Sequence, residues 1–211
     1  MSKGDLTKER IVAQAASIFN RSGFAGTSLS ELMAATGLQK GGIYRHFKSK
    51  EELAAAAFDH AWRRAWNARW SGIDKNAGAI GRLKQFVANF IDNRAELVPG
   101  GCPVLNTAVD SDDGNLALRD RARKALTRWI RRIEQIVSAG IASGEIRSNV
   151  DPRVAATILV ATLEGALMIG RLQRSNLALE QAREYLIGFL EGLANAGRKE
   201  APAVRSSKSL E

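Results

Sequence analysis

This chain predicts an all-α fold in two parts, a compact bundle of three short helices at the front and a larger helical body behind it. Three observations carry that expectation. Apolar residues recur at spacings of three and four almost throughout, the period of helices with one buried face. No run alternates apolar and polar residues as a half-buried strand does. The four prolines, at positions 99, 103, 152 and 202, fall outside the periodic segments. With 211 residues, 45% of them hydrophobic, the chain can hold a small domain and a larger one, each around a core.

The first helix is expected over residues 8–21, with Thr7 as N-cap and Ile11, Ala15, Ile18 and Phe19 on its apolar face. Gly23 supplies its stop. The second begins at Ser28, where Glu31 three positions on completes a capping box, and ends before Gly37. A short third helix spans residues 39–47. The fourth opens on Ser49, with Glu52 as a second capping box, and covers residues 50–70. An amphipathic helix over 79–94 follows, then a Pro/Gly break at 99–101 and a short helix from Pro103. The long helix over 116–143 carries the stripe Ala122, Leu126, Trp129, Ile130, Ile133, Ile136 and Val137. Asp151 as N-cap and Pro152 at the first helical position start the next helix, which ends near Leu172. A last helix is expected over 179–196. Residues 198–211 are polar and aperiodic, expected as a disordered tail whose final Leu-Glu reads as a cloning remnant. The boundaries that follow are 1–50 for the front bundle and 51–197 for the body.

The formal charge is +9, which favours anionic partners such as nucleic acid. Residues 1–50 hold eight Lys or Arg against three acids, a net +5, whereas from Asp151 to Asn195 the charges nearly cancel. The phosphate-seeking charge is therefore expected at the front. Cys102 is the single cysteine, so no internal disulfide can form, which fits a reducing cytosol. The first residues carry charge where a signal peptide would be apolar, and the apolar stretch 154–170 is short and contains Glu164. A cytoplasmic protein with no membrane partner is expected.

Three short helices in fewer than fifty residues, with a tight glycine turn between the second and third, match a helix-turn-helix unit. Ile43 and Phe47, four apart, pin the third helix into the core and leave Gln39, Lys40, Tyr44, Arg45 and His46 outside. Several of these can donate to phosphates or base edges. Lys48 and Lys50 flank the start of the fourth helix, whose free amides already favour phosphate. Thr27 and Ser28 offer hydroxyls and amides at the start of the second.

The run Thr36-Gly-Leu-Gln-Lys-Gly-Gly-Ile-Tyr-Arg-His-Phe-Lys-Ser-Lys-Glu-Glu-Leu53, with Gly23-Phe24 and Thr27-Ser28-Leu29 before it, closely resembles the helix-turn-helix signature of the TetR family of repressors. The match covers about residues 8–55. It implies that Tyr44, His46, Lys50 and the Thr27-Ser28 region hold the DNA backbone, while Gln39, Lys40 and Arg45 approach bases. Gln pairs well with adenine, and Lys and Arg with guanine; Gln39 and Arg45 are the expected specificity residues. The sequence departs from the family at Gly42, often a hydroxyl residue or Ala there. Adjacent Gly41 and Gly42 each weaken a helix by roughly 1 kcal/mol relative to Ala, which close backbone approach to DNA would offset.

The resemblance also implies a body with an internal ligand cavity and a homodimer built mainly from the last two helices, about 152–172 and 179–196. Gly188 and Gly192, four apart, allow a close helix approach there. A dimer would read a palindromic double-stranded operator with two third helices one turn apart. Trp62, Trp66 and Trp70 repeat every four residues along the fourth helix. Trp62, Trp66, Phe86, Phe90, Trp129 and Met168 are expected to line a cavity for a hydrophobic or aromatic small molecule, although each alone is also an ordinary core residue. Cys102 follows two glycines and precedes Pro103, an N-cap position that lowers a thiol pKa. It joins the ligand-lining set, and a redox or electrophile sensor is the alternative.

The expected function is a ligand-responsive transcriptional regulator, most simply a repressor, with an activator also compatible. Rivals are a basic helical protein that binds nucleic acid without sequence preference, and an enzyme. Two histidines and one cysteine give no zinc spacing, and no phosphate loop or dinucleotide fingerprint is present. No catalytic residue, metal or cofactor is expected.

Overall fold

A computed structural model of the chain describes residues 2–111 and 114–195. Within them the elements are α1 (Lys3–Gly26), α2 (Leu29–Thr36), α3 (Lys40–Tyr44), α4 (Lys50–Trp70), α5 (Ala79–Asp92), a 3-10 turn (Asn93–Glu96), α6 (Pro103–Asp110), α7 (Leu116–Ala142), α8 (Pro152–Gln173) and α9 (Leu177–Gly192). The all-α expectation holds, and no named strand interrupts the described residues. The expected tail lies outside them.

α1 starts five residues earlier than expected. Ser2, not Thr7, is its N-cap, in a capping box with Asp5, so the polar first turn is held by reciprocal side-chain bonds. The hydrogen bonds from Ser2 hold the Asp5 carboxyl below its usual range. The stop at Gly23 is real: its φ of 72° breaks the helix, and one further turn continues to Gly26. α2 has the expected Ser28–Glu31 box and ends on Gly37 in the left-handed region. α3 is shorter than expected, five residues, with Gln39 outside it as N-cap. At Ser49 the box is only half made: Ser49 Oγ accepts from the Glu52 amide, but the Glu52 carboxylate accepts the Lys48 N–H instead, at 2.6 Å.

α4 connects two cores. Leu53, Ala57 and Ala61 join a front cluster with Ile11, Ala15, Leu32, Ile43 and Phe47. Its other face, Ala54, Phe58, Trp62 and Ala65, joins a larger cluster with α5, α7, α8 and α9. Fully buried side chains such as Phe47 and Leu53 each contribute roughly 1.5–3 kcal/mol over exposure. Α single continuous helix thus carries both halves. On α7, Leu126 is exposed and Ile130 half-buried, so the buried stripe is narrower than the sequence suggested. Glu145 closes the body by accepting the amides of Ala79 and Ile80 at the start of α5, at 2.6 and 2.9 Å.

α8 is long and apolar enough to cross a membrane by length and composition, but 44% of that window is buried in the fold. Leu159, Leu163 and Leu167 face inward, whereas Val154, Ile158, Met168, Ile169 and Leu172 are exposed. The outer face continues onto α9 through Leu177 and Tyr185.

Candidate nucleic-acid interface and buried polar core

The front bundle presents α3 on two anchors. Ile43 and Phe47 are buried, which turns Gln39, Lys40, Gly41 and Arg45 to solvent, with Gly42, Tyr44, His46 and Lys50 half-buried and Lys48 exposed. Gln39 makes no side-chain cap, leaving its amide group for a partner. A Cβ at Gly41 would meet nothing within 4 Å, and one at Gly42 only an ordinary contact with Leu38 at 3.4 Å. The fold itself therefore does not require glycine at either position. Lys50 Nζ lies 4.5 Å from the centre of the Phe24 ring, which holds the cation at the start of α4.

Thr27 departs from its expected role. It is buried, and its hydroxyl donates to the Gly23 carbonyl at 2.6 Å, so the side chain braces the α1–α2 corner and only its backbone lies near the exposed start of α2. The Ser28 hydroxyl is exposed but also engaged with Glu31, whose carboxyl is held below the usual range first by the Ser28 backbone N–H and then by that hydroxyl.

In the helical body, the expected aromatic residues meet. Trp129 is fully buried, with ring centres of Trp62, Phe86 and Phe90 at 6.2, 6.1 and 5.9 Å. Met168 does not join them, and Trp66 joins only at the rim, its ring centre 5.5 Å from that of Trp62. Met168 is 49% exposed on the outer face of α8, and Trp66 lies on a surface groove between α4 and α7. The sequence reading also missed the centre of this core. Arg69 is 2% exposed, and its guanidinium lies against the rings of both Trp129 and Phe90, at 4.1 and 4.6 Å. Its Nη2 donates to Cys102 Sγ at 3.3 Å and stands 3.5 Å from Glu164 Oε1. Arg69 Nη1 and Trp129 Nε1 are buried without a hydrogen-bond partner, and the Glu164 carboxylate, which has only Arg69 and the Cys102 thiol beside it, is short of partners.

A buried charge is costly unless paired and hydrogen-bonded, so this cluster holds unspent bonding capacity. Burial pushes the Glu164 carboxyl above the usual carboxylate range, against the pull of Arg69. Burial also pushes the Cys102 thiol up to about 11. That corrects the expectation of a lowered pKa. Cys102 is the N-cap of α6 as read, but loss of water outweighs the helix amides and Arg69. The signal for Arg69 was present, since it follows Trp62 by seven residues and so shares its face of α4. Glu164, an acid in the most apolar helix, was seen but given no partner.

A polar strap ties this core to the front bundle. Asn20, buried on α1, donates through Nδ2 to the carbonyls of Pro99 and Gly101 at 3.2 and 3.1 Å. Asn106 on α6 donates back to the Asn20 and Gly100 carbonyls, both at 2.8 Å. At the far end of α6, Asp110 accepts the Phe24 amide at 2.7 Å, close against Gly23. The loop bearing Cys102 is therefore bonded to α1 at one end, and α6 is bonded to the α1–α2 corner at the other. The crevice between α1, α4 and α6 holds only about 20 Å³, so these elements are in contact rather than hinged across a void.

Residues 11–57 match the family model described as bacterial regulatory proteins, tetR family, and residues 79–186 match the one described as tetracyclin repressor-like, C-terminal domain. The chain belongs to the TetR family of transcriptional regulators. A TetR regulator from Chloroflexus aurantiacus is 45% identical, with a TM-score of 0.87, over 92% of this chain and 98% of that one. A TetR-family regulator from Cytophaga hutchinsonii is 32% identical, with a TM-score of 0.85, over the same shares. The HTH-type transcriptional repressor DhaR of Mycobacterium sp. (strain GP1) is 23% identical over 89% of this chain and 96% of its own. Members of the TetR family are DNA-binding regulators, not enzymes, and they typically form homodimers and bind small-molecule effectors. Among the described residues of this TetR-family chain, no group of three or more His, Cys, Asp or Glu could hold a metal ion.

Proposed function

We propose that this TetR-family chain is a ligand-responsive repressor. Its dimer would hold a palindromic operator and release it when a small hydrophobic or aromatic effector enters the body. The observation that carries the reading is the buried cluster of Arg69, Glu164, Cys102 and Trp129, with unsatisfied polar atoms in an aromatic box. An effector with an apolar body and one polar group would use those atoms, displacing side chains to do so. Moving Cys102 pulls on the loop bonded to Asn20 of α1, which gives the site a route to the reading head. Coupling of about 1–3 kcal/mol lowers operator affinity 5- to 150-fold.

In this reading residues 1–50 read DNA and residues 51–197 sense and dimerise, with α4 shared. Gln39, Lys40 and Arg45 reach bases. Tyr44, His46, Lys48, Lys50 and the backbone at Thr27-Ser28 hold phosphates, and the bare surface at Gly41 and Gly42 lets the duplex approach. The exposed apolar face of α8 and α9 is taken by a second copy, and a regulator working on chromosomal DNA acts in the cytoplasm. Repression is favoured over activation by the relative described as a repressor. The raised thiol pKa of Cys102 speaks against a thiol sensor.

The test is selection of genomic fragments on the purified protein, then titration of the best fragment against scrambled DNA. A palindromic fragment preferred roughly a thousandfold, released by an effector whose binding Glu164→Gln weakens, supports the proposal. Equal affinity for scrambled DNA, with or without effectors, overturns it.

A further inference from the structure

A second basic face lies far from the reading head. α7 carries seven Lys or Arg against two acids, a net +5, equal to that of residues 1–50. It runs beside α4, with Arg121 paired to Asp59 at 2.6 Å, Arg128 over the Trp66 ring at 4.3 Å and Arg132 over the Trp70 ring at 5.6 Å. Between the two helices is an open groove of about 730 Å³, walled by those two tryptophans and by Arg123, Arg128, Arg131 and Arg132. That is the size of a small-molecule site.

The charge in this groove is only partly neutralised from within. Asp120 is bonded to Arg123 and Lys124, which hold its carboxyl near a pKa of about 2, and Glu134, the other acid of α7, is paired with Arg153. Among the described residues no carboxylate pairs with Arg128, Arg131 or Arg132. Arg128 stands three and four positions from the other two, spacings at which like charges on a helix repel. Arg128 lies in close cation–π contact with its indole and Arg132 near the outer limit of such a contact, and a guanidinium on an aromatic ring keeps N–H groups that suit a phosphate fork. Trp66 is sixteen residues from Lys50, about 24 Å along α4, so this face is separate from the reading head. None of the groove's lining residues lies on α8 or α9, so a dimer formed there leaves it open.

We infer that the α4–α7 groove binds a small molecule bearing two or more phosphates on a flat ring, with Arg128 and Arg132 holding the phosphates and the tryptophan wall receiving the ring. The site is distinct from the buried effector core and does not depend on it. The test is calorimetric titration of the full chain with ATP, inorganic tripolyphosphate and adenosine as probes. One saturable ATP site per protomer is expected, with tripolyphosphate weaker and adenosine silent. Arg128→Ala/Arg132→Ala, confirmed as folded by its melting curve, should weaken ATP at least tenfold. Arg128→Lys/Arg132→Lys, which keeps the charge but loses the fork, should also weaken it. Trp66→Leu should weaken ATP but not tripolyphosphate. ATP affinity unchanged in both arginine variants, or no saturable binding, overturns the assignment. So does a ten-residue oligothymidylate that binds through the same arginines more than tenfold tighter than ATP, which would make the groove a nucleic-acid channel.

Discussion

The reading head and the α7 groove carry the same formal charge and are built differently. In the head, cations flank helix starts and a bare glycine surface, within one stretch of fifty residues. In the groove, the cations line a single helix, and they become a site only because α4 lays Trp66 and Trp70 beside Arg128 and Arg132. Charge alone separates neither from an ordinary solvated face. What distinguishes them is what stands next to the charge, free amides in one case and aromatic rings in the other. Arg69 is the limiting case, the same side chain on the same kind of aromatic support, but wholly out of water.

The largest expected effect tests that limit. Arg69→Ala leaves Glu164 buried without its counter-ion, and breaking a buried pair costs about 3–5 kcal/mol. Arg128→Ala, on the exposed wall, should stay within about 0.5 kcal/mol. Chemical denaturation of the two variants measures both. Equal losses would mean that the buried and exposed stacks are energetically alike, and the comparison would break.

Next in size is the division of labour between the two basic faces. Arg45→Ala should cost about 1–3 kcal/mol of operator affinity, relaxing preference at one base position. Arg128→Ala/Arg132→Ala should leave operator affinity within about twofold, since rigid contacts beyond the duplex add little once salt screens them. Operator titrations at two salt concentrations decide this. A groove variant that lowers both affinity and salt slope as Arg45→Ala does would make the second face part of the DNA interface.

How much could be read from the sequence follows from the same contrast. The head was legible almost whole, because its signals are local: Ser28 with Glu31, Gly37 after α2, and Ile43 four before Phe47. The errors there were also local, as at Glu52, which bonds the Lys48 amide rather than that of Ser49. In the body, helix positions were legible from periodicity, and Trp62, Phe86, Phe90 and Trp129 were grouped correctly. The Arg69–Glu164 pair joins residues 95 apart in sequence, and no local spacing reports such a meeting. Trp66 stands at the rim of the aromatic group, one side against Trp62 and the other on the groove, because α7 decides how far each member of a four-residue repeat is covered. The thiol was misjudged for a related reason, since an N-cap position is visible in sequence and burial is not.

A smaller effect would sharpen the head. Gly41→Ala adds a methyl group that meets nothing in the free protein and improves helix propensity by up to about 1 kcal/mol. Stability should rise slightly while operator affinity falls several-fold. Thermal melts and operator titration on one preparation measure both. If affinity holds as stability rises, the glycine is not there for close approach, and phosphate contacts alone define the head.

The smallest effect lies between the two faces. His60 sits on α4 in a groove shared with Lys8, Glu9, Arg10, Asp59 and Arg63. Burial first, then Arg63 and Arg64, holds its pKa below the ordinary 6.5, with Glu9 pulling the other way. The folded state therefore favours neutral imidazole, while the unfolded chain takes up a proton at its ordinary pKa. The resulting stability is present above about pH 6.5 and is lost as the pH falls from there toward the lower folded value. Denaturation midpoints of wild type and His60→Gln between pH 7.5 and 5 should converge at the acid end if the variant starts lower. Parallel pH slopes would show that neither burial nor the cations on α4 set the folded His60 apart from the unfolded one.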